Sequence, residues 1–357
     1  MIELNSSDPI NYDLDSSTDA ISSFPRLTQP ISYDDFFREF LEKNKPCVFS
    51  SEFTREWRAR SDWVTPIGIP DVQYFVEQFG DADVPVADCD QKHYDSQEKK
   101  TYKLKDYIHY WNGLRETSCG KNQCLYLKDW HFVQAYPDYG AYTTLHYFAS
   151  DWLNEFWQVR DDIQDDYQFV YMGPKGSCDS SKYPKAASAS GRLEVIQEQG
   201  ETIFVPSGWH HQVWNLEDTI SINHNWLNGT NIQVAWHFLV ESLNQVEFAI
   251  QDCKDMEDWV GQCQLLLRVT HGMDYKEFYT FLRTVAQRRI SCLSENKPLV
   301  SFDVWTVGKN HILYDLKKIQ WCLEQLLNDE RLDSIKDFSD EENHPVKLLD
   351  DITTVLS

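Results

Sequence analysis

Two adjacent imidazoles, His210 and His211, follow a Pro206-Ser207-Gly208 turn inside the stretch from Gln199 to Trp226. An imidazole beside a turn at the mouth of a strand layer is well placed to bind a metal. Thr202-Ile203-Phe204-Val205 reads as one strand, Trp209 to Trp214 as a second and Thr219 to Asn225 as a third. Side chains alternate along a strand, so one of the two histidines faces such a site and the other points away. A non-haem iron centre, one kind of site a histidine can join, needs two His and one carboxylate on one face and leaves its other positions open. The remaining ligands are hard to find. No His occurs between His146 and His210. His93-Tyr94-Asp95 is formally a His-x-Asp pair, but it lies in the charged run from Asp88 to Lys100, and so short a motif arises readily by chance. His146 reads as a packed histidine, while His131, His224 and His237 have no partner at metal spacing.

Such a site needs elements to hold it. Ser32 reads as an N-cap, with Asp34 and Asp35 in the first turn and Phe36, Phe37, Phe40 and Leu41 on one face; Asn44 and Pro46 end that helix. Cys47-Val48-Phe49 reads as a buried strand, and residues 72–80 and 102–112 as helices. Residues 81–101 are polar and charged and read as a loop or edge region. Cys124 to Leu127 and Gln168 to Gly173 read as strands, the second ending in a Gly173-Pro174 turn; Leu193 to Ile196 reads as another. Aromatic residues fill Asp151 to Trp157, whose plain role is core packing. Beyond Trp226 the period becomes helical. Ile232, Trp236, Leu239, Leu243, Val246 and Ile250 form one apolar stripe. Gly272 ends a helix and Asp274 with Glu277 opens the next, which carries Phe278, Phe281, Leu282 and Val285. Residues 310–327 make a last helix, and the acidic stretch from Asn328 reads as a loose tail. Strands in the middle and helices toward the end indicate an α+β fold.

The charge narrows the function classes. Fifty-seven acids against 33 bases give a formal net charge of −24, a field that repels phosphate backbones and excludes bulk nucleic-acid binding. A basic protein partner suits it better. The nine cysteines are scattered without a CxxC pair, as for reduced cytosolic or nuclear thiols. Residues 1–25 are rich in Ser, Asp and Asn, with no secretory signal, and read as a disordered tail. The apolar runs are too short to span a membrane.

Val205-Pro206-Ser207-Gly208-Trp209-His210-His211 resembles the distal-histidine motif of the JmjC family of 2-oxoglutarate oxygenases. Tyr171-Met172-Gly173-Pro174, Asn44 to Phe49 and Ser150 to Trp157 resemble further segments of one subgroup, so the resemblance spans roughly residues 25–325 in order. It implies a JmjC/cupin-type double-stranded β-helix with an N-terminal α/β extension and C-terminal helices. The corresponding division is a tail over 1–25, an N-terminal region over 26–165, a JmjC core over 166–228, a helical region over 229–327 and an acidic tail over 328–357.

The resemblance places the iron ligand on His211 and polar cofactor contacts on Asn223 and Asn225. It implies Fe(II) and 2-oxoglutarate as cofactors and protein hydroxylation as the activity. In that subgroup the reaction is C4 hydroxylation of a lysine in the eukaryotic translation termination factor, in the cytoplasm or nucleus. Histone demethylation belongs to other branches and ranks lower. Related hydroxylases also self-associate through C-terminal helices, so a homodimer is an expectation.

The chain departs from the pattern at one place. The family continues from Met-Gly-Pro into Thr-x-x-His-x-Asp and then through strands bearing a Lys for the ketoacid. Here the sequence runs Ser177-Cys178-Asp179-Ser180-Ser181-Lys182-Tyr183-Pro184, and only 32 residues lie between Ser177 and His210. Four strands of ~5–6 residues with their turns need about 30–40 residues, and Lys185 to Gly191 is loop-like. A block is therefore expected to be missing, as after a skipped exon or a faulty gene model, leaving the barrel incomplete and the chain catalytically impaired. The alternative is a non-catalytic isoform that acts as an interaction or dimerisation protein.

Overall fold

The computed structural model describes residues 2–4, 24–93, 96–116, 124–160, 168–175, 178–179, 192–301, 304–338 and 344–357. Its first strand, β1 (Ile2–Leu4), corrects the expected tail: Leu4 is buried and the strand pairs in parallel with Trp305–Val307. Residues up to Ser23 otherwise lie outside the described set. After β2 (Arg26–Leu27), Ser32 caps α1 (Tyr33–Phe36) as read, its hydroxyl accepting the Asp35 amide at 3.0 Å. A π-helical turn, Phe37–Leu41, continues α1, and β3 (Cys47–Phe49) is fully buried.

Between these two elements sits Glu42, whose carboxyl is pushed up to about 7 by burial, against the nearby charges of Lys318 and Lys43. A carboxyl raised on folding binds its proton more tightly in the native state. Its contribution is therefore intact below the ordinary 4.5 and is lost as pH climbs through about 7. Glu42→Gln should make the protein more stable than wild type at pH 8, with the gap closing by pH 4, in paired denaturant titrations.

Two short helices, α2 (Arg58–Asp62) and α3 (Val72–Phe79), precede a hairpin of β4 (Asp83–His93) and β5 (Ser96–Lys103). That hairpin narrows the reading of 81–101 as a loop or edge region: the stretch is strand, and β5 forms the edge of its sheet. Val84 and Val86 face a core, whereas β5 carries Glu98, Lys99, Lys100 and Lys103, so composition hides the strands. Helix α4 (Leu104–Glu116) buries Leu104, Tyr107, Ile108 and Trp111 at helical spacing. Next come β6 (Leu125–Trp130), α5 (Phe132–Ala135), α6 (Trp152–Trp157) and β7 (Gln168–Gly173).

Of the JmjC-like strands, β8 (Cys178–Asp179), β9 (Thr202–Phe204), β10 (Val213–Trp214) and β11 (Thr219–His224) are present. Leu193 to Ile196 is not a strand, and Trp209 to Gln212 does not extend β10. The strands form an antiparallel sheet β11-β7-β6-β4-β5, a sheet β2-β3-β9 and the pair β10-β8. One face of the five-stranded sheet packs on α3 and α4 around Leu127, Val170 and Met172. β11 and β9 end their sheets, so each has one edge unpaired among the described strands.

The C-terminal half is helical: α7 (Ile232–Ala249), α8 (Trp259–His271) and α9 (Tyr275–Glu295), the hairpin β12 (Leu299–Ser301) and β13 (Trp305–Val307), then α10 (Lys309–Leu327) and α11 (Pro345–Leu356). The signals for these helices hold. Gly272 is left-handed at φ 79°, and the Asp274 carboxylate accepts the Glu277 amide at 2.8 Å. The loose-tail reading beyond Asn328 does not hold: Leu332, Ile335, Phe338, Leu348 and Ile352 are buried in the main core.

At the start of α7, Gly229 lies against α10. A methyl group there would come within 2.9 Å of the Tyr314 ring and 3.0 Å of the Asp315 carboxylate, both in fully buried side chains. Gly229→Ala should cost about 1–3 kcal/mol through overpacking, read as a lower denaturant midpoint at unchanged slope.

Candidate functional site

The turn that presents the histidines is pinned from both ends of the chain. Gly208 has φ 82°, a backbone state that favours glycine. The Trp209 indole donates to the Asn44 carbonyl at 3.1 Å, and the Asn44 amide group donates to the Ser207 carbonyl at 2.9 Å. Asn231, ahead of α7, donates to the Ser207 hydroxyl at 3.0 Å. The motif is thus held by the N-terminal extension and the helical region together.

His210 and His211 lie past this turn in irregular backbone, so strand alternation does not separate them as the sequence suggested. Both are exposed. The Nδ1 of His211 lies 3.1 Å from the Trp209 carbonyl. A carbonyl only accepts, so Nδ1 carries the proton and Nε2 keeps its lone pair, the tautomer of a metal ligand. Asn223 and Asn225 come together, the first donating to the second at 3.1 Å.

Asn223 belongs to the inner face of the five-stranded sheet, away from α3 and α4. Directly paired residues share a face, so Asn223 with Phe169 and Ser221 with Tyr171 line it. Tyr126 stacks on Tyr171 with ring centres 6.1 Å apart. Between Leu127 and Trp130 one extra residue bulges β6, and Asp129 takes φ 61°. The bulge re-aims the Asp129 carboxylate, which accepts the Tyr171 hydroxyl at 2.7 Å and pairs with Lys99 of β5. The sequence reading missed this cluster, because Lys99 comes from the stretch read as a loop or edge region and Asp129 is brought in by the bulge. Lys99 is held by Asp129, so it does not supply the lone cation that the far carboxylate of a ketoacid requires.

His224, His146 and His237 are each engaged by neighbouring side chains. His224 points to the opposite face, where its Nε2 meets Asp151 at 2.9 Å and its Nδ1 meets the Tyr142 hydroxyl at 3.3 Å. His146 packs between Tyr147 and Trp305, and burial lowers its pKa. His237 stands edge-on to Trp321. His93 ends β4, with Asp95 outside the described residues.

Comparison with known proteins decides the lineage. The family model described as "JmjC domain, hydroxylase" matches residues 190–226. The 2-oxoglutarate and iron-dependent oxygenase JMJD4 of Gallus gallus is 41% identical over 368 residues, covering 85% of each chain. Its counterparts in Danio rerio and Homo sapiens are both 38% identical, covering 85% and 83% of this chain and 86% and 82% of their own.

The chain belongs to the JmjC family.

JmjC proteins of this group are named for 2-oxoglutarate and iron, which are therefore the cofactors of the family. The family also accounts for the α+β architecture. One arithmetic fact bears on the site. The Gallus gallus match runs over 368 residues, more than the 357 of this chain, yet it takes up only 85% of it. The relative therefore carries residues within the matched span that this chain does not have.

The described side chains do not fit an iron centre. Among the described residues no three His, Cys, Asp or Glu side chains come together as a metal would need. His211 supplies one ligand where the two-His, one-carboxylate arrangement takes three.

Proposed function

We propose that this chain comes from the protein-hydroxylating branch of the JmjC oxygenases, whose substrate is a lysine of the eukaryotic translation termination factor, and that this form of the chain does not catalyse that reaction. The observation that carries the second half is the solitary His211. A single imidazole exchanges readily with water, and the second His and the carboxylate belong to the Thr-x-x-His-x-Asp segment expected after Pro174. The first half is supported by the sequence segments that resemble the branch and by the relatives' identity across four-fifths of the chain. A relative named an arginine-specific demethylase, from Arabidopsis thaliana, is 36% identical; demethylation ranks below hydroxylation because the resembling segments fit the hydroxylase subgroup. The test is metal retention. After anaerobic incubation with Fe(II) and gel filtration, the chain should hold far less than one iron per molecule, and His211→Ala should hold the same. Stoichiometric iron that His211→Ala removes would overturn the reading.

A second reading is a binding role in the cytoplasm, with self-association through the C-terminal helices. It is favoured by the outward face of α7 and α8. Phe238 and Leu265 are exposed, and Phe248 and Val269 are 72% and 73% exposed. Exposed apolar side chains on two neighbouring helices are what an interaction site would need. Sedimentation equilibrium decides it: Phe238→Glu with Val269→Glu should convert a dimer to a monomer, whereas a wild-type monomer at tens of micromolar rejects it.

A further inference from the structure

Beyond Ala87 strand β4 slips out of register with β5 and regains it only at Lys92. Over this stretch it runs beside the start of β6, with Asp88 opposite Leu125. One step further along, Cys89 lies opposite Cys124, and the Cys89 amide donates to the Cys124 carbonyl at 2.8 Å. Opposed residues in an antiparallel ladder have Cα atoms about 4.5–5.5 Å apart, inside the roughly 4.4–6.8 Å that a disulfide spans. Directly opposed side chains also leave the sheet on the same face.

We propose that Cys89 and Cys124 form a reversible cross-strand disulfide that fixes the outer end of β4 to the start of β6. Neither is in a disulfide in this structure, and both are half-buried, so small oxidants reach them. Their surroundings set them apart from the other thiols. A hydrogen bond from Cys89 lowers the pKa of Cys124, and outweighs burial and the charges of Asp90 and Asp88, which raise it. Burial pushes the thiols of Cys47, Cys263, Cys292 and Cys322 up instead. A thiol is reactive when it is accessible and readily deprotonated. The segment is also held in place for pairing: the Asp90 carboxylate accepts the Cys124 amide at 2.9 Å, and the Tyr110 hydroxyl accepts the Leu125 amide at 2.8 Å.

The chemistry balances with a peroxide. The Cys124 thiolate attacks one oxygen of hydrogen peroxide, becomes a sulfenic acid and releases hydroxide, which takes up a proton to leave as water. The Cys89 thiol then forms the S–S bond, displacing the sulfenic oxygen as a second water. Both sulfurs are oxidised by one electron each, and the peroxide is reduced by two. A small-molecule disulfide gives the same product by two exchange steps that release two thiols.

The test is thiol mapping on the full chain. Protein is treated with hydrogen peroxide, or separately with glutathione disulfide, quenched with N-ethylmaleimide and digested. The expected result is two fewer alkylatable thiols than the nine of the reduced chain, with one linked peptide pair containing Cys89 and Cys124. Dithiothreitol should restore all nine. Cys89→Ser should abolish the linked pair and leave Cys124 open to alkylation. Full alkylation of both cysteines after either oxidant would overturn the proposal. So would a linkage of Cys124 to Cys119, or separate oxidation of the two to sulfinic acids.

Discussion

Supplied with Fe(II), ascorbate and 2-oxoglutarate, the purified chain is expected to release succinate no faster than a blank without protein. The reason is ligand count: His211 is exposed and alone, and no three metal-binding side chains meet among the described residues. Lys99, on the inner face, is held by Asp129 and so is not free to take the far carboxylate of the ketoacid. The complementary experiment inserts the Thr-x-x-His-x-Asp block that the family pattern leads one to expect between Ser177 and Asp179. Enzymes accelerate their reactions by about 10⁶-fold or more, so even a poorly fitted block should raise succinate release by roughly three orders of magnitude. In that version His211→Ala should return the rate to the blank. Iron-dependent succinate release by the chain as it stands would sink the prediction, and His93 and Asp95 would then be the residues to replace. Amplifying the native transcript across the same junction separates a shortened protein from a longer dominant message.

Arg289→Met should lose about 3–5 kcal/mol of stability, because it takes the fully buried cation from two buried carboxylates and leaves Glu155 only the part-exposed Arg288 at 3.3 Å. Arg289 is fully buried in α9. It holds both oxygens of Glu155 in α6, one at 2.8 Å, and donates through Nε to Asp315 of α10 at 3.0 Å. The Trp152 indole donates to the same Asp315 oxygen at 3.3 Å, and His311 lies 3.2 Å from the other. Tyr33 of α1 closes the chain with a 2.7 Å hydrogen bond to His311. Three elements, α6, α9 and α10, therefore meet at one guanidinium, and α1 joins them through His311.

Burial pushes the Asp315 carboxyl up, but His311 and Arg289 outweigh it and hold the group below its usual range. A carboxyl lowered on folding stabilises above its unfolded pKa of about 4 and loses that stability as pH falls below it. Arg289→Met should therefore unfold at lower temperature near pH 7, by roughly 10 °C, and lose less than wild type on acidification. Arg289→Lys should fall between the two, since an ammonium cannot make the paired contacts. Thermal melts at pH 7 and at about pH 3, below the ordinary carboxylate range, decide it; a variant within about 1 kcal/mol of wild type at pH 7 would show that the network contributes little.

What this sequence determined by itself was local. Ser32, Gly272 and Asp274 carry their own capping chemistry, so helix boundaries could be read from single residues. The stripe from Ile232 to Val246 and the aromatic run at Trp152 to Trp157 announced their burial through spacing alone. The motif from Val205 to His211 pointed to the JmjC family because its order of residue types is specific. Tertiary structure decided everything that depends on a partner strand or helix. The β4–β5 hairpin looks like a charged loop until its ladder is paired, because an edge strand needs few apolar residues. The acidic C-terminal stretch folds because Leu348 and Ile352 find a groove on α9 and α10 that local composition cannot reveal. The bulge that turns Asp129 toward Tyr171, and the meeting of Tyr33, Glu155, Arg289 and Asp315, exist only once distant elements dock. Backbone propensity and capping act over a few residues, whereas register, burial and charge pairing are set by contacts between segments that the chain order keeps apart.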